Sequence, residues 1–213
     1  MACGLSVAIV GAGIGGLTAA AAMLRAGLKV NLYEQAHRFT RLGAGIQQSP
    51  NATRVLRELG LEPHLRRIRF RPARSLNRQW DSGALTNSYE LGDMAEDRFG
   101  APYLLFHRGD LHAAPAAIVP RELIHLNCQL IGFELFHDGV RLGFAQGETV
   151  RADVLIGADG VHSTVREILF GEEAPRFTGR VAYRTTFAAA RLGDLTLDDS
   201  AKWWGPDRLY RLA

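Results

Sequence analysis

Residues 5–16 read Leu-Ser-Val-Ala-Ile-Val-Gly-Ala-Gly-Ile-Gly-Gly. The first half of this stretch is an apolar run of strand length, and the second half is a glycine-rich turn. An alanine-rich stretch at 17–25 stops at Gly27, and a second apolar run at 28–33 ends on Glu34. This order predicts a βαβ unit with a dinucleotide fingerprint in its first turn and an acid after its second strand.

The glycines of the turn predict a phosphate-binding loop. Gly11 allows a tight turn, Gly13 lets the backbone approach a pyrophosphate, and Gly16 lets the helix pack close to the sheet. The helix N-terminus offers N–H groups and a partial positive charge to the phosphates. Glu34 is placed to accept hydrogen bonds from a ribose 2′-hydroxyl, and its charge disfavours a 2′-phosphate. FAD or NAD is therefore expected rather than NADP, with a βαβ turn that binds nothing as the alternative.

The composition is that of an ordinary globular protein, 47% hydrophobic and 22% charged over 213 residues. No apolar run has the length of a membrane span and no signal-peptide pattern precedes the first strand, so a cytoplasmic protein without membrane contact is expected. Cys3 and Cys128 fit no metal-site spacing and are interpreted as reduced thiols. No metal site is predicted.

The net charge of +3 comes with a dense basic stretch at 66–74. Within this stretch, Ile68 and Phe70 alternate with arginines, and this period of two predicts a half-buried strand. We therefore expect no nucleic-acid partner, and an anionic substrate or cofactor is the simpler explanation for the excess of arginine.

Other patterns outline the rest of the chain. Strands are predicted at 103–107, 123–136, 140–144, 153–157 and 181–189, with several short strands over 68–92. Helices are predicted at 50–59, from Arg108, and at 162–169 with Ser163 as a cap.

Three stretches together resemble a known family. They are the fingerprint with Glu34, the segment His107-Arg108-Gly109-Asp110-Leu111, and the segment at 157–166, which reads Gly-Ala-Asp-Gly-Val-His-Ser-Thr-Val-Arg. This set resembles the FAD-dependent aromatic hydroxylases (group A flavoprotein monooxygenases), and most of all their salicylate, 3-hydroxybenzoate and 6-hydroxynicotinate members. The stretches at 41–47 and 202–208 strengthen the resemblance, which extends to about Arg208.

The resemblance implies an α/β fold with two parts. The first is a Rossmann-like FAD-binding domain, three-layered around a parallel sheet, at 1–67 and 93–175. The second is part of a β-rich substrate domain at 68–92 and 176–213. The implied activity is hydroxylation of an aromatic carboxylate, such as salicylate or a hydroxybenzoate, with FAD as cofactor and O₂ and NADH or NADPH as co-substrates. The oligomeric state stays open, with a homodimer among the alternatives.

The resemblance also implies contacts with the adenosine and pyrophosphate of FAD. Glu34 would hold the ribose, and Gly15 would sit at the pyrophosphate. The adenine would lie beside the backbone of Gln35 and of Leu130.

Three further positions follow from the family motifs. Gln47 would lie near the ribityl chain or the flavin, and Arg108 would bind the ribityl–pyrophosphate region, where a guanidinium matches a diphosphate. Asp159, in a turn after a predicted strand, belongs to a motif that serves FAD pyrophosphate and nicotinamide binding. The alternatives are a surface role for Arg108 at the start of a helix and a helix-capping role for Asp159.

No catalytic residue is assigned. The hydroxynicotinate enzymes carry a histidine where this chain has Gln47, and glutamine cannot act as a base at neutral pH. Salicylate-type relatives have glutamine there, which favours a hydroxybenzoate as substrate. Family members are nearly twice as long as this chain, so a C-terminal truncation with an incomplete flavin-ring site is expected. A flavin-free NAD-binding dehydrogenase and a non-catalytic FAD-binding fragment remain as alternative functions.

Overall fold

The computed structural model describes residues 4–41, 43–194 and 199–212. Cys3, one of the two expected thiols, and Leu42, within the motif at 41–47, lie outside the described residues. The strands are β1 (Ser6–Val10), β2 (Lys29–Tyr33), β3 (Gly45–Gln48), β4 (Arg74–Gln79), β5 (Leu85–Glu90), β6 (Leu104–His107), β7 (Ile124–His125), β8 (Leu130–Phe136), β9 (Gly139–Phe144), β10 (Thr149–Ala152), β11 (Val154–Gly157), β12 (Ser200–Trp204) and β13 (Leu209–Leu212). The helices are α1 (Ile14–Arg25), α2 (Pro50–Glu58), α3 (Glu62–Ile68), α4 (Asp93–Phe99), α5 (Arg108–Ala116) and α6 (Thr164–Phe170), with 3₁₀ turns at Arg121–Leu123 and Ala189–Leu192.

The chain divides into two compact units, each formed by two separate segments. The first unit comprises Met1–Arg41 and His112–Ala182, and the second comprises Leu42–Leu111 and Tyr183–Ala213. The segments 42–67 and 93–111, predicted with the first domain, lie in the second unit. They pair with each other, because β3 hydrogen-bonds to β6 and α2 packs against α4. The assignment of FAD binding and substrate binding to particular bounds stays a prediction.

The first unit is built around a parallel sheet with the strand order β11-β1-β2-β7. β1 is central and pairs in parallel with both β2 and β11. Helix α1 connects β1 to β2 and packs on both. The βαβ unit expected from residues 5–34 is therefore confirmed, and it forms because a buried apolar strand, a helix of small residues and a second apolar strand follow in sequence.

A second sheet covers one face of the parallel sheet. Its strands β10, β9 and β8 are antiparallel. Ala8 and Val10 of β1 share a buried cluster with Leu142 and Phe144 of β9, and Tyr33 at the end of β2 packs on Phe144 with ring centroids 4.8 Å apart. Helix, parallel sheet and antiparallel sheet give the three-layer α/β architecture predicted from the sequence.

The second unit is rich in strands. One mixed sheet has the order β13-β12-β4-β5, in which β12 and β4 are parallel and the outer pairs antiparallel. A separate antiparallel pair is formed by β3 and β6.

Two predicted strands are wrong. The alternation around Ile68 belongs to the end of helix α3, where Glu62 and Arg66 pair at helical spacing and Leu65 is buried. Only Phe70 makes a sheet-like contact there, an isolated bridge to Leu105. The segment 181–188 pairs with no strand in the described part of the chain, and its residues are exposed. An apolar run becomes a strand only when a partner supplies its backbone hydrogen bonds.

The starts of β1 and β11 are joined by one side chain. The Asp153 carboxylate accepts hydrogen bonds from Ser6 N at 2.6 Å and from Ser6 Oγ at 2.8 Å. The backbone hydrogen bond, reinforced by the hydroxyl, lowers the pKa of Asp153 below its usual value. A carboxylate with a lowered pKa in the folded state stabilises the fold at neutral pH, and this stabilisation is lost as the pH falls through the folded-state pKa.

We predict that Asp153→Asn reduces the loss of stability that the protein shows on acidification. The neutral amide has no charge to be neutralised, so that part of the pH dependence disappears. Urea denaturation midpoints, followed from neutral pH into the acid range, measure the effect. Asp81→Asn, in an exposed turn, is the matched control. An unchanged pH dependence in Asp153→Asn would contradict the assigned role.

Candidate functional site

The turn between β1 and α1 has the shape that its glycines predict. Gly11 has a φ of +102°, and a Cβ there would overlap the carbonyl group of Ala158. A Cβ on Gly16 would overlap the carbonyl oxygen of Gly11. The structural roles expected for Gly11 and Gly16, a tight turn and close packing of the helix, are confirmed.

The other two glycines border open space. A Cβ added to Gly13 or to Gly15 would meet no atom of the described residues within 4 Å. Gly13 is the N-cap of α1 and its cap carries no side-chain hydrogen bond, while the first turn contains no acidic residue. The partial positive charge at the start of this twelve-residue helix therefore faces the open space beside Gly13 and Gly15, a cradle that suits a phosphate group.

Two backbone hydrogen bonds hold the Glu34 side chain next to Gly13. Its Oε2 accepts a hydrogen bond from Ala12 N at 2.8 Å, and its Oε1 accepts one from Ala36 N at 2.9 Å. A carboxylate has about four acceptor positions, so one on each oxygen is left for the hydroxyls of a ribose. The predicted ribose contact is compatible with this geometry, and the structure adds a role in holding the loop.

The carbonyl group of Ala12 is held as well. His112 Nε2 lies 2.8 Å from Ala12 O and donates to it, since a carbonyl oxygen can only accept. The ring of Phe39 contacts the His112 ring edge-on, with centroids 4.8 Å apart. The sequence alone gives no sign of this contact, because it joins residues a hundred positions apart.

The segments predicted to border the adenine are brought together. Cys128 N donates to Glu34 O at 2.8 Å, and Asn127 N donates to Ala36 O at 3.0 Å. Gln35 is exposed between these two bonds, while the Leu130 side chain is buried in the core. Contact of either backbone with an adenine stays a prediction.

Asp159 caps helix α6. Its Oδ1 accepts from Ser163 Oγ at 2.5 Å, and its Oδ2 accepts from Val165 N at 3.1 Å. Ser163 Oγ in turn accepts from Arg166 N at 3.0 Å, which confirms Ser163 as the helix cap. The capping alternative for Asp159 is thus realised, and its contact with a cofactor stays a prediction.

Gln47 and Arg108 belong to the second unit. Gln47 lies exposed on β3 opposite Leu105. Arg108 is the exposed first residue of α5; its backbone N donates to Ala44 O at 3.0 Å. The Arg108 guanidinium makes no hydrogen bond or ion pair with the residues that the structure describes. It is therefore available to a ligand, as the family motif implies, and equally fits the surface alternative.

The loop before β3 is held by a histidine of the family motif. His107 Nε2 donates to Gly43 O at 3.0 Å, and His107 Nδ1 accepts from Gly109 N at 3.2 Å. Gly43 has a φ of +141° and lies against the side chain of Arg108. The backbone therefore bends at Gly43.

No set of three or more His, Cys, Asp or Glu side chains among the described residues could hold a metal ion. Cys128 is a free thiol, and burial raises its pKa. Within the described ranges, no helix has the length and apolarity needed to cross a membrane.

Known proteins are similar to this chain in sequence and in fold. The profile of the NAD(P)-binding Rossmann-like domain matches residues 9–56. The 6-hydroxynicotinate 3-monooxygenase of Bordetella bronchiseptica is 45% identical over 203 residues, which are 95% of this chain and 53% of that protein. The 3-hydroxybenzoate 6-hydroxylase of Klebsiella oxytoca is 37% identical over 93% of this chain and 51% of its own length. A variant of HpxO from Klebsiella pneumoniae, solved with FAD, superposes with a TM-score of 0.70 at 27% identity over 77% of this chain and 42% of its own.

The chain has a Rossmann-like fold, with the matched profile over residues 9–56. Its homologues are aromatic monooxygenases, so the resemblance to the FAD-dependent aromatic hydroxylases found in the sequence is confirmed. The chain spans about half the length of the curated relatives it matches.

Adjacent glycines of α1 should respond differently to the same substitution. Gly16→Ala should lower the free energy of unfolding by about 1–3 kcal/mol, because its methyl group overlaps the Gly11 carbonyl. Gly15→Ala should leave stability unchanged or raise it by up to about 1 kcal/mol, since alanine favours the helix and meets no atom. Urea denaturation without ligand measures both, and equal effects would contradict the described packing.

Proposed function

We propose that the first unit binds the ADP half of FAD. The observation that carries this proposal is the open cradle at Gly13 and Gly15, at the uncapped start of α1, with Glu34 fixed next to it. The cradle supplies backbone N–H groups and a positive dipole end for the pyrophosphate, and Glu34 supplies acceptors for the ribose. The FAD in the HpxO structure supports the same choice of dinucleotide.

The protein groups prepare this site before any ligand binds. Glu34 accepts a hydrogen bond from Ala12 N, and His112 donates one to Ala12 O. The Ala158 carbonyl lies so close to Gly11 that a Cβ there would overlap it. A loop fixed in this way loses little conformational freedom on binding, so more of the interaction energy is available for affinity.

The whole protein is proposed to hydroxylate an aromatic carboxylate, with NADH or NADPH and O₂ as co-substrates. FAD, when bound, supplies the redox chemistry, and the protein's own groups position the ring and exclude water. The names of the relatives support the substrate class, since they include a hydroxynicotinate and a hydroxybenzoate enzyme. Gln47 favours a hydroxybenzoate. The dependence on reduced nicotinamide supports a cytoplasmic location, which stays a prediction.

A flavin-free NAD-binding protein is the second candidate, because the matched family profile covers NAD(P)-binding domains. A non-catalytic FAD-binding module is the third, because the chain spans only about half of its relatives. Both candidates would use the loop at Gly11–Gly16. The second differs from the main proposal in the cofactor that the protein retains, and the third differs in having no turnover.

We predict that ADP binds at least about tenfold more tightly than ADP carrying a 2′-phosphate. A phosphate about 5 Å from the Glu34 carboxylate costs about 1–3 kcal/mol in repulsion, and 1.4 kcal/mol is a factor of ten. Glu34→Gln should narrow this difference, because the amide carries no charge. Calorimetric titration of the wild type and the variant measures the ratio. Equal affinities in the wild type would contradict the proposed ribose contact.

We also predict that the purified protein releases FAD, not NAD, when it is denatured, as identified by its fluorescence and by chromatography. Release of NAD without flavin would favour the second candidate. NADH oxidation is then followed with 3-hydroxybenzoate, salicylate and 6-hydroxynicotinate as additions. Stimulation by one of them supports the hydroxylase, whereas bound FAD without any stimulated turnover supports the non-catalytic module.

A further inference from the structure

A small cavity lies in the second unit, among helices α2, α3 and α4 and strand β6. Its volume is about 70 Å³, several times the roughly 10–15 Å³ that one water molecule needs. Its lining is dominated by charged side chains: Arg57, Arg66, Arg69, Arg71, Glu62 and Glu96. Four guanidinium groups and two carboxylates line this space, and a third carboxylate, Asp93, lies 3.0 Å from Arg71 Nη2, so an excess of one positive charge remains.

The carboxylates of Glu62 and Glu96 each form ion pairs with two arginines. Glu62 Oε1 lies 2.8 Å from Arg66 Nη2, and Glu62 Oε2 lies 3.5 Å from Arg57 Nε. Glu96 Oε1 lies 2.8 Å from Arg57 Nη2, and Glu96 Oε2 lies 3.0 Å from Arg71 Nη2. Their acceptor capacity is thus largely used by these pairs.

Two donors are left without an acceptor. Arg71 Nε is buried and has no hydrogen-bond partner among the described residues. The Arg69 guanidinium forms neither a hydrogen bond nor an ion pair within the part of the chain that the structure describes. A buried N–H without an acceptor is unfavourable, and such groups are rare unless a ligand, an ion or a water supplies the acceptor.

The backbone fixes these donors on one side of the chain. Phe70 N donates to Leu105 O and Leu105 N donates to Phe70 O, each at 2.8 Å, so the chain is anchored to β6 between the two arginines. Residues two apart in extended backbone project to the same side, which explains why Arg69 and Arg71 both line the cavity. Paired guanidinium groups are the side chains that recognise carboxylate and phosphate.

We propose that this cavity, here named the arginine cavity, binds a small oxyanion through Arg69 and Arg71. The ligand is a phosphate or carboxylate group small enough for the cavity, held by the Arg71 Nε–H and the Arg69 guanidinium. Glu62 and Glu96 keep Arg57 and Arg66 in place and leave the surplus charge to the ligand. The bound anion would join the segment 69–71 to helices α3 and α4, so it would stabilise the second unit by mass action.

The test is calorimetric titration of the full chain with inorganic phosphate, sulfate and acetate at constant ionic strength. Saturable binding is expected for the wild type. Arg69→Gln should weaken it about tenfold, since a hydrogen bond to a charged group is removed. This variant removes no hydrogen bond or ion pair among the described residues, so it should fold normally. Arg71→Lys should weaken it similarly, because lysine keeps the charge but has no donor at the Nε position.

Arg208→Gln is the matched control. It removes one positive charge, but Arg208 pairs with the neighbouring Asp207 and lies outside the cavity. The Arg208→Gln variant should bind the anion with the same affinity as the wild type. Tighter binding of phosphate and sulfate than of acetate would assign the site to phosphate-like groups, and the reverse order would assign it to carboxylates. No saturable binding, or binding that Arg69→Gln and Arg71→Lys leave unchanged, as expected for an anion at the start of α1, would overturn the proposal.

Discussion

The backbone N–H and C=O groups of Ala12 are both held by side chains, and the first unit is organised around this residue. Glu34 Oε2 accepts a hydrogen bond from Ala12 N, and His112 Nε2 donates one to Ala12 O. The loop is also closed from a third side, where Gly11 N donates to Tyr33 O at 2.7 Å and Ala158 N donates to Val10 O at 2.7 Å. The ends of β2 and β11 and helix α5 therefore all meet the same short turn. Only glycine at position 11 lets the Ala158 carbonyl approach the backbone so closely, because a Cβ there would overlap it. A larger residue would therefore force the turn after β1 away from the turn after β11.

Local patterns predicted the first unit well. The apolar runs at β1 and β2, the glycines of the turn and the Ser163 cap all act within a few residues, so their geometry follows from the sequence itself. The three layers followed because a buried parallel strand needs cover on both faces. The site was predicted as a set of residues, but the sequence did not show that Glu34 binds the loop backbone, since this contact depends on where β2 ends relative to β1.

The failures have a common physical cause, which is competition between local and distant partners. Arginines alternating with Ile68 and Phe70 suggested a strand, but an ion pair at helical spacing and the buried Leu65 favour helix α3. The run at 181–188 has strand-like composition, yet no described strand offers it a ladder of hydrogen bonds. Asp159 accepts hydrogen bonds from Ser163 and from the first turn of α6, as its capping alternative predicted, and its contact with a cofactor stays a prediction. The pairing of β3 with β6 was not predicted either, because it is not visible in either segment alone.

The bond between Ser6 and Asp153 spans 147 positions of the chain. During synthesis, the glycine turn is made long before β11 and Ala158, which complete it, because they follow much later in the chain. Closing so long a loop delays native pairing, and folds dominated by distant contacts form slowly. Until then β1 has only β2 as a neighbour, and its other edge is an unpaired apolar strand. Until β11 pairs, this edge of β1 therefore has backbone groups that can form hydrogen bonds with another strand.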